Sequence, residues 1–219
     1  MKNTTRESIR GRIFELVAII VTAAGKFILG DLLGLGLYYV VLACAFWIGY
    51  VLLRVRWHRS VLVRWGFTRH GVFAGLKLVG PVAAVSLTSF VIYGLVTGGA
   101  VVNLEFVLLL LLYPIWGTIQ QFMVVALLAD NVAALSRERV PEWAAILLAA
   151  VLFAMVHLPE YPLVAATFVL GLVTTTTFFR TRSIWISGLF HGWYATVFYH
   201  FVMGENPLGI LFRGAFAVS

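Results

Sequence analysis

The sequence predicts an all-α, polytopic membrane protein built as a helical bundle, and two observations predict it. Of the 219 residues, 62% are hydrophobic and 11% are charged, with a mean hydropathy of +0.98. Soluble domains average about 45–50% apolar and about 25% charged residues, so a soluble core of this size would leave large apolar patches in water. The apolar residues are also grouped into stretches long enough to cross a bilayer. Soluble globular, disordered and fibrous classes are therefore excluded.

Seven stretches are candidate transmembrane helices, since a crossing needs about 20 mostly apolar residues. The fourth is too long for one straight span and contains Pro114 and Gly117, so we expect a short entry segment followed by a main helix from Trp116. The fifth is at the lower limit of a spanning length and either crosses or re-enters. Without a repeat or linker, the chain is expected to form one membrane domain over residues 1–219. The seven stretches cover residues 13–30, 34–53, 71–97, 104–135, 141–157, 163–179 and 183–203.

The basic residues predict the orientation in the membrane. The net charge is +7, and 13 of the 16 Lys and Arg residues lie in the amino-terminal tail or in alternate connections. The opposite connections contain Asp31, Glu105 and Glu160 and almost no positive charge. This positive-inside pattern predicts an integral protein of the cell (inner) membrane with a cytoplasmic amino terminus, and it explains the basic pI without nucleic acid. The 13 residues are Lys2, Arg6, Arg10, Arg12, Arg54, Arg56, Arg59, Arg64, Arg69, Arg137, Arg139, Arg180 and Arg182.

Two segments of the amino-terminal half have membrane-related interpretations. The first apolar stretch is interpreted as a retained helix, because it contains Glu15 and Lys26 and lacks the small-residue cleavage motif of a secretory signal. The segment from Arg54 to Gly71 mixes arginines with aromatic residues, and it is either an interfacial strip against lipid phosphates or an ordinary basic loop. Its aromatic residues are Trp57, Trp65 and Phe67.

Polar side chains at membrane depth are costly, and they are functional candidates by default. Gln120 and Gln121 lie in the middle of the fourth stretch, His157 ends the fifth, and His191 lies inside the seventh. Each could instead be a packing residue that bridges two helices through a hydrogen bond. Three further polar residues are interpreted as helix-end or interfacial positions: Asp130, Asn131 and His200.

The spacing of the candidates favours one shared pocket. Phe153 and His157 are four residues apart and share a helix face. Gly188 and Gly192 flank His191 at the spacing that lets a second helix backbone approach closely. A neighbouring helix is therefore expected to press against the turn that carries His191. Two histidines and a glutamine pair on three helices predict a polar pocket in the bundle core.

These residues and their order resemble the CAAX-protease and bacteriocin-processing (CPBP, or Abi) family of intramembrane peptidases. The family core carries E-E-x-x-x-R, then F-x-x-x-H, then H-x-x-x-N or H-x-x-x-D. Phe153 and His157 match the second motif, and His191 matches the histidine of the third. The resemblance covers about residues 104–203, whereas residues 1–100 are matched by hydropathy alone. Four more residues are typical of the family's approach to the third motif: Gly171, Ser183, Ile184 and Trp185.

The chain departs from the family pattern at four positions. Gln120 and Gln121 stand where the family has glutamates, Val125 where it has arginine, and Ala195 where it has Asn or Asp. The resemblance implies that a glutamate and a histidine activate water while the second histidine and the Asn stabilise the oxyanion. Loss of a general base costs typically 10²–10⁴-fold, and loss of an oxyanion donor costs about 10²–10³-fold. The implied catalytic positions are Gln120, Gln121, His157 and His191, with Phe153, Val125 and Ala195 lining the substrate pocket.

Three functions remain open at this point. The first is a peptidase with altered chemistry, in which His157 is the base. The second is an inactive relative that binds a membrane-associated or prenylated peptide or protein as a scaffold or regulator. The third is a small-molecule or metal-binding membrane protein, although two histidines without a carboxylate are a poor zinc site and the single cysteine, Cys44, excludes a Cys-rich one. No cofactor is implied, and the expected partners are membrane lipid and such a peptide.

Overall fold

The computed structural model describes residues 2–98, 102–136 and 139–206, with side chains from residue 9 onward. This described part of the chain contains helices and no strand, which confirms the all-helical prediction. The amino-terminal half contains α1 (Lys2–Gly25), its π-helical continuation (Lys26–Leu32), α2 (Gly36–Trp57), the short α3 (Val61–Arg64) and α4 (Val72–Thr97).

The second half begins with one long helix that changes its winding in the middle. It is α5 at first, turns π-helical directly after Gln121, and then becomes α6. The side chain of Asn103 caps its start by accepting a hydrogen bond from the backbone N–H of Phe106 at 2.9 Å. The elements of this half are α5 (Leu104–Gln121), the π-helical segment (Phe122–Ala129), α6 (Asp130–Ser136), α7 (Glu142–Met155), α8 (Tyr161–Thr181), α9 (Trp185–Phe198) and its π-helical continuation (Tyr199–Met203).

Five helices in the described ranges are long and apolar enough to cross a membrane, as an integral membrane protein requires. α7 and α9 are shorter, with 14 residues each. At 1.5 Å per residue α7 is about 21 Å long, compared with a hydrocarbon core of about 30 Å. The turn after α7 therefore follows a helix that is shorter than a full crossing. The five long helices cover Ile9–Leu32, Gly36–Trp57, Val72–Thr97, Leu104–Ser136 and Tyr161–Thr181.

The expected break at Pro114 and Gly117 is wrong, since the helix runs through both residues. Proline removes one backbone donor, and a full break would leave several backbone groups without water to satisfy them. The Pro114 carbonyl accepts a hydrogen bond from the Thr118 hydroxyl at 2.8 Å. The two residues instead form the surface on which α9 packs.

The contact between α5 and α9 is made backbone to backbone, as the two glycines of α9 predict. A Cβ atom added to Gly192 would lie 2.3 Å from the Cα of Pro114, and one added to Gly188 would lie 2.7 Å from the Cα of Thr118. A Cβ on Gly117 would lie 2.6 Å from the Gly188 carbonyl oxygen. The expectation that a neighbouring helix presses on the turn of His191 is confirmed, and that helix is α5.

A buried carboxylate joins the amino-terminal helices to the second half of the chain. Glu15 on α1 is fully buried and accepts hydrogen bonds from the Tyr50 hydroxyl at 2.8 Å and from Nδ2 of Asn131 at 2.6 Å. The guanidinium of Arg64 donates to both oxygens of the carboxylate, at 2.9 and 2.5 Å. Because three elements supply the partners and a fourth carries the carboxylate, Glu15 fixes the relative positions of all four. The elements are α1, α2, α3 and α6.

Asp130 extends this charged network. Its two oxygens accept hydrogen bonds from Arg12 at 2.9 Å and from Arg182 at 2.7 Å. Arg12 also donates to Oδ1 of Asn131 at 2.8 Å. Asp130 and Asn131, expected near the end of this helix, lie at the start of its last segment, and both are buried and paired with residues of other elements. A carboxylate removed from water needs such partners.

The basic segment from Arg54 to Gly71 is docked on the protein's own core over part of its length. Trp65 is fully buried, and its ring packs edge-on against Phe122 with 5.0 Å between centroids. Phe67 also contacts Phe122, at 5.6 Å. Trp57, in contrast, is 65% exposed. The interfacial interpretation therefore fails for Trp65 and Phe67, whose rings bury apolar area inside the bundle.

We expect Gly192→Ala to destabilise the protein by about 1–3 kcal/mol, because the added methyl group would overlap the backbone of Pro114. Gly49→Ala in α2 is the matched control, since nothing lies within 4 Å of its Cβ position. Alanine is the better helix former, so this control should be neutral or slightly stabilising. Unfolding in detergent measures both, and equal free energies of unfolding would contradict the close packing.

We expect Glu15→Gln to cost about 2–3 kcal/mol, because it leaves Arg64 without its carboxylate. This is below the about 3–5 kcal/mol of a fully buried broken pair, since the Arg64 side chain is 21% exposed. Asp31→Asn, which breaks the exposed Lys26–Asp31 pair, should cost at most about 1 kcal/mol. Similar losses of unfolding free energy in the two variants would show that Glu15 is not a structural anchor.

Candidate active site

The centre of the candidate site is a buried hydrogen bond between Gln121 and His191. The amide nitrogen Nε2 of Gln121 lies 2.9 Å from Nδ1 of the imidazole. Gln121 is fully buried and His191 is 3% exposed. With the amide nitrogen facing the ring, Nδ1 accepts the hydrogen bond and the ring proton is on Nε2. Two residues 70 positions apart are thus paired inside the bundle.

The local fold explains how these two side chains meet. Gln121 is the last residue of α5, and the chain becomes π-helical directly after it. Such a change of winding re-aims side chains and is frequent at functional sites. His191 is flanked by Gly188 and Gly192, which bring the backbone of α9 against α5. At this short distance between the helices, the Gln121 side chain reaches the His191 ring directly.

Phe153 connects His191 with the second histidine. Its ring packs edge-on against His157 with 5.1 Å between centroids and against His191 with 5.5 Å. Nδ1 of His157 donates to the backbone carbonyl of Phe153 at 2.8 Å. The donor role of Nδ1 leaves Nε2 of His157 as a free acceptor. His157 is half-buried, so this acceptor belongs to the more accessible side of the site.

Lys26 lies beside the turn that carries His157, and the sequence did not single it out as a site residue. Its Nζ donates to the backbone carbonyl of Leu158 at 3.3 Å and to Asp31 at 2.7 Å. The amino-terminal helix thereby reaches the candidate site, although it precedes the region that resembles the peptidases. A lysine within an apolar first helix was the available signal, because such a cation needs a partner.

The remaining predicted site residues occupy different positions. Gln120 is half-buried and has no hydrogen-bond partner among the described residues. Val125 is fully buried in the π-helical segment, and Ala195 is 9% exposed on α9. His200 stacks on Phe106 with 4.4 Å between ring centroids. The structure therefore brings Gln121, His157 and His191 together with Phe153, and His200 lies apart from them.

The site contains hydrogen-bonding groups without a carboxylate. Oε1 of Gln121 is buried and has no hydrogen-bond partner within the described ranges. Together with the acceptor of His157 and the ring proton of His191, it can hold polar groups of a ligand. A neutral amide cannot take a proton from water, however. The described residues also contain no group of three or more His, Cys, Asp or Glu side chains that could hold a metal ion.

Comparison with known proteins places this geometry in a family. Residues 103–197 match the sequence model of the Rce1-like type II CAAX prenyl endopeptidases. The matched range contains both histidines and the whole contact between α5 and α9 up to Val197. No curated protein and no solved structure gives a significant match to the chain. Over these residues, which are less than half of the chain, the sequence is therefore similar to the domain of the Rce1-like type II CAAX prenyl endopeptidase (CPBP) family.

Proposed function

We propose that this protein binds a prenylated, membrane-associated peptide at the Gln121–His191 pair and does not hydrolyse it. The hydrogen bond between these two residues carries the proposal. It keeps the second glutamate position of the family in place beside a family histidine, with a carboxamide instead of the carboxylate. The amide retains the length and hydrogen bonding of glutamate and lacks its proton chemistry.

The surroundings of the pair support a neutral binding site. Val125 stands at the family's arginine position and is fully buried, so this position supplies no cation that would need a carboxylate partner. Ala195 stands at the Asn or Asp position and offers no donor to an oxyanion. The missing base and donor would cost about 10²–10⁴-fold and 10²–10³-fold in rate. Losing acid, cation and donor together is consistent with a site kept for binding.

The peptide would be held by three groups at different depths. Oε1 of Gln121 accepts a hydrogen bond from a peptide N–H, and the ring N–H of His191 donates to a carbonyl. His157 offers its free acceptor nearer the opening. Buried polar groups favour a ligand that satisfies them, because an unpaired one costs about 1–3 kcal/mol. An isoprenoid chain would remain in the surrounding lipid-like environment.

The proposal includes a topology for the whole chain. We infer a single membrane domain of seven crossings, in which α7 and α9 with its π-helical end complete the five long spans. The amino terminus and the network around Glu15 lie on the cytoplasmic side of the cell membrane, as the positive-inside pattern indicates. The turn with His157 then opens toward the opposite side.

A second function is supported by His157 itself. Its Nδ1 is committed to the carbonyl of Phe153, which leaves Nε2 free to accept a proton from water. Histidine is well suited to general-base catalysis near neutral pH. In this alternative the protein is a peptidase in which His157 is the base and Gln121 and His191 orient the water and the oxyanion.

We expect purified full-length protein to bind a fluorescent farnesylated peptide and to release no product from it. Fluorescence anisotropy in detergent measures binding, and mass spectrometry of the peptide measures cleavage. His191→Phe should weaken binding about tenfold, because it removes the ring N–H and leaves Gln121 unpaired. His200→Phe is the control, since this histidine lies outside the site.

Two outcomes would contradict this function. Absence of peptide binding, or equal weakening by the two histidine variants, would remove the binding site. A cleaved product from the wild-type protein that disappears in His157→Ala would establish the peptidase alternative.

We expect the combined variant Gln120→Glu, Gln121→Glu, Val125→Arg and Ala195→Asn to gain hydrolysis of the same peptide. The change restores the base, its cation and the oxyanion donor in a scaffold that already places His191 beside position 121. Adding His191→Phe should abolish the gain. A folded combined variant that binds the peptide and cleaves none would show that the scaffold does not position the scissile bond.

A further inference from the structure

Among the described residues, Arg54 is an arginine of this network for which no acceptor is found. It belongs to the last turn of α2, one helical turn beyond Tyr50, whose hydroxyl binds Glu15. Its Nε is buried and has no hydrogen-bond partner among the described residues. The residue as a whole is half-buried. Arg64, Arg12 and Arg182, in contrast, all donate to carboxylates.

Gly11 allows the Arg54 guanidinium to lie against the backbone of α1. A Cβ atom at Gly11 would be 3.2 Å from NH2 of Arg54 and 3.7 Å from its Cζ. Gly11 is also one helical turn before Glu15. The contact between Arg54 and Gly11 therefore lies one helical turn from the contact between Tyr50 and Glu15. The guanidinium of Arg54 therefore lies next to the charged network.

The charges of this region do not balance within the described residues. Three arginines already surround two carboxylates, since Glu15 is paired with Arg64 and Asp130 is shared by Arg12 and Arg182. Arg54 adds a charge that no carboxylate of the described residues accepts. A partly buried guanidinium presents a fixed fork of donors that matches the oxygens of a phosphate group.

We propose that Arg54 binds a phosphate-bearing anion at the junction of α1 and α2. The site lies near the start of the candidate span Ile9–Leu32 and near the end of the candidate span Gly36–Trp57, where Arg10, Arg12 and Arg54 occur. Arginines at the end of a membrane span are suited to lipid headgroups. The chemistry is that of a phosphate monoester or diester, supplied by an anionic phospholipid or by free phosphate. Its binding is independent of the proposed peptide site.

The first arm of the test uses full-length protein in nanodiscs of phosphatidylcholine with or without phosphatidylglycerol. Native mass spectrometry counts retained lipids, and thermal unfolding reports stabilisation. Phosphatidylglycerol should bind the wild-type protein about tenfold more tightly than Arg54→Gln. Arg56→Gln is the matched control, since it removes an exposed arginine two residues away and should change binding by less than about twofold.

The second arm identifies the source of the phosphate. Inorganic phosphate is added to the same variants in a neutral detergent without lipid. If inorganic phosphate stabilises the wild-type protein and not Arg54→Gln, the ligand is free phosphate. If phosphate has no effect while phosphatidylglycerol binds in the first arm, the ligand is the lipid headgroup. Equal behaviour of Arg54→Gln and Arg56→Gln in both arms would overturn the proposal.

A third variant excludes an internal counter-ion. Glu7 precedes Gly11 by four residues, and its side chain is outside the described set. If Glu7 neutralised Arg54, the wild-type protein would ignore the anion and Glu7→Gln would create binding, which would overturn the proposal. The expected result is binding by the wild-type protein that Glu7→Gln changes by less than about twofold.

Discussion

The candidate site depends on the backbone contact between α5 and α9. Glycines at positions 117, 188 and 192 let the two helix backbones approach closely, and an added Cβ at any of the three would clash with backbone atoms of the other helix. In a membrane, helices associate through such packing and through hydrogen bonds, because lipid offers no hydrophobic driving force between them. One helical turn further along α5, the same closeness places Gln121 on the imidazole of His191. The hydrogen bond between Gln121 and His191 therefore depends on the close packing of α5 and α9.

The charged network around Glu15 and Asp130 attaches the amino-terminal helices to the second half of the chain. The family domain begins at residue 103, and α1 to α4 precede it. Lipid-exposed helices have little apolar driving force to stay in place, and a buried carboxylate with partners on several elements supplies a specific one. Asn131 links the two carboxylates, because it donates a hydrogen bond to Glu15 and accepts one from Arg12, the partner of Asp130. The two halves of the chain are joined by polar groups.

Sequence reasoning succeeded where a rule is local. Hydropathy located the helices, and the four-residue spacing of Gly188 and Gly192 predicted the close approach of another helix. It failed where the answer depends on a distant residue. The predicted helix break at Pro114 is wrong, because the surface of α9 that packs on this residue is distant in the sequence. Glu15 and Asn131 are 116 residues apart, and no local pattern pairs them.

Helix α1 and its π-helical continuation contact both the charged network and the turn that carries His157. In its first half, Gly11 lies against Arg54 and Glu15 accepts the hydrogen bonds of the charged network. Directly after its last residue, Lys26 donates a hydrogen bond to the backbone carbonyl of Leu158, next to His157. Glu15 and Lys26 are separated by about 16 Å of helix. Because this helix is held at both places, a tilt imposed at the Glu15 network also moves the turn that carries His157.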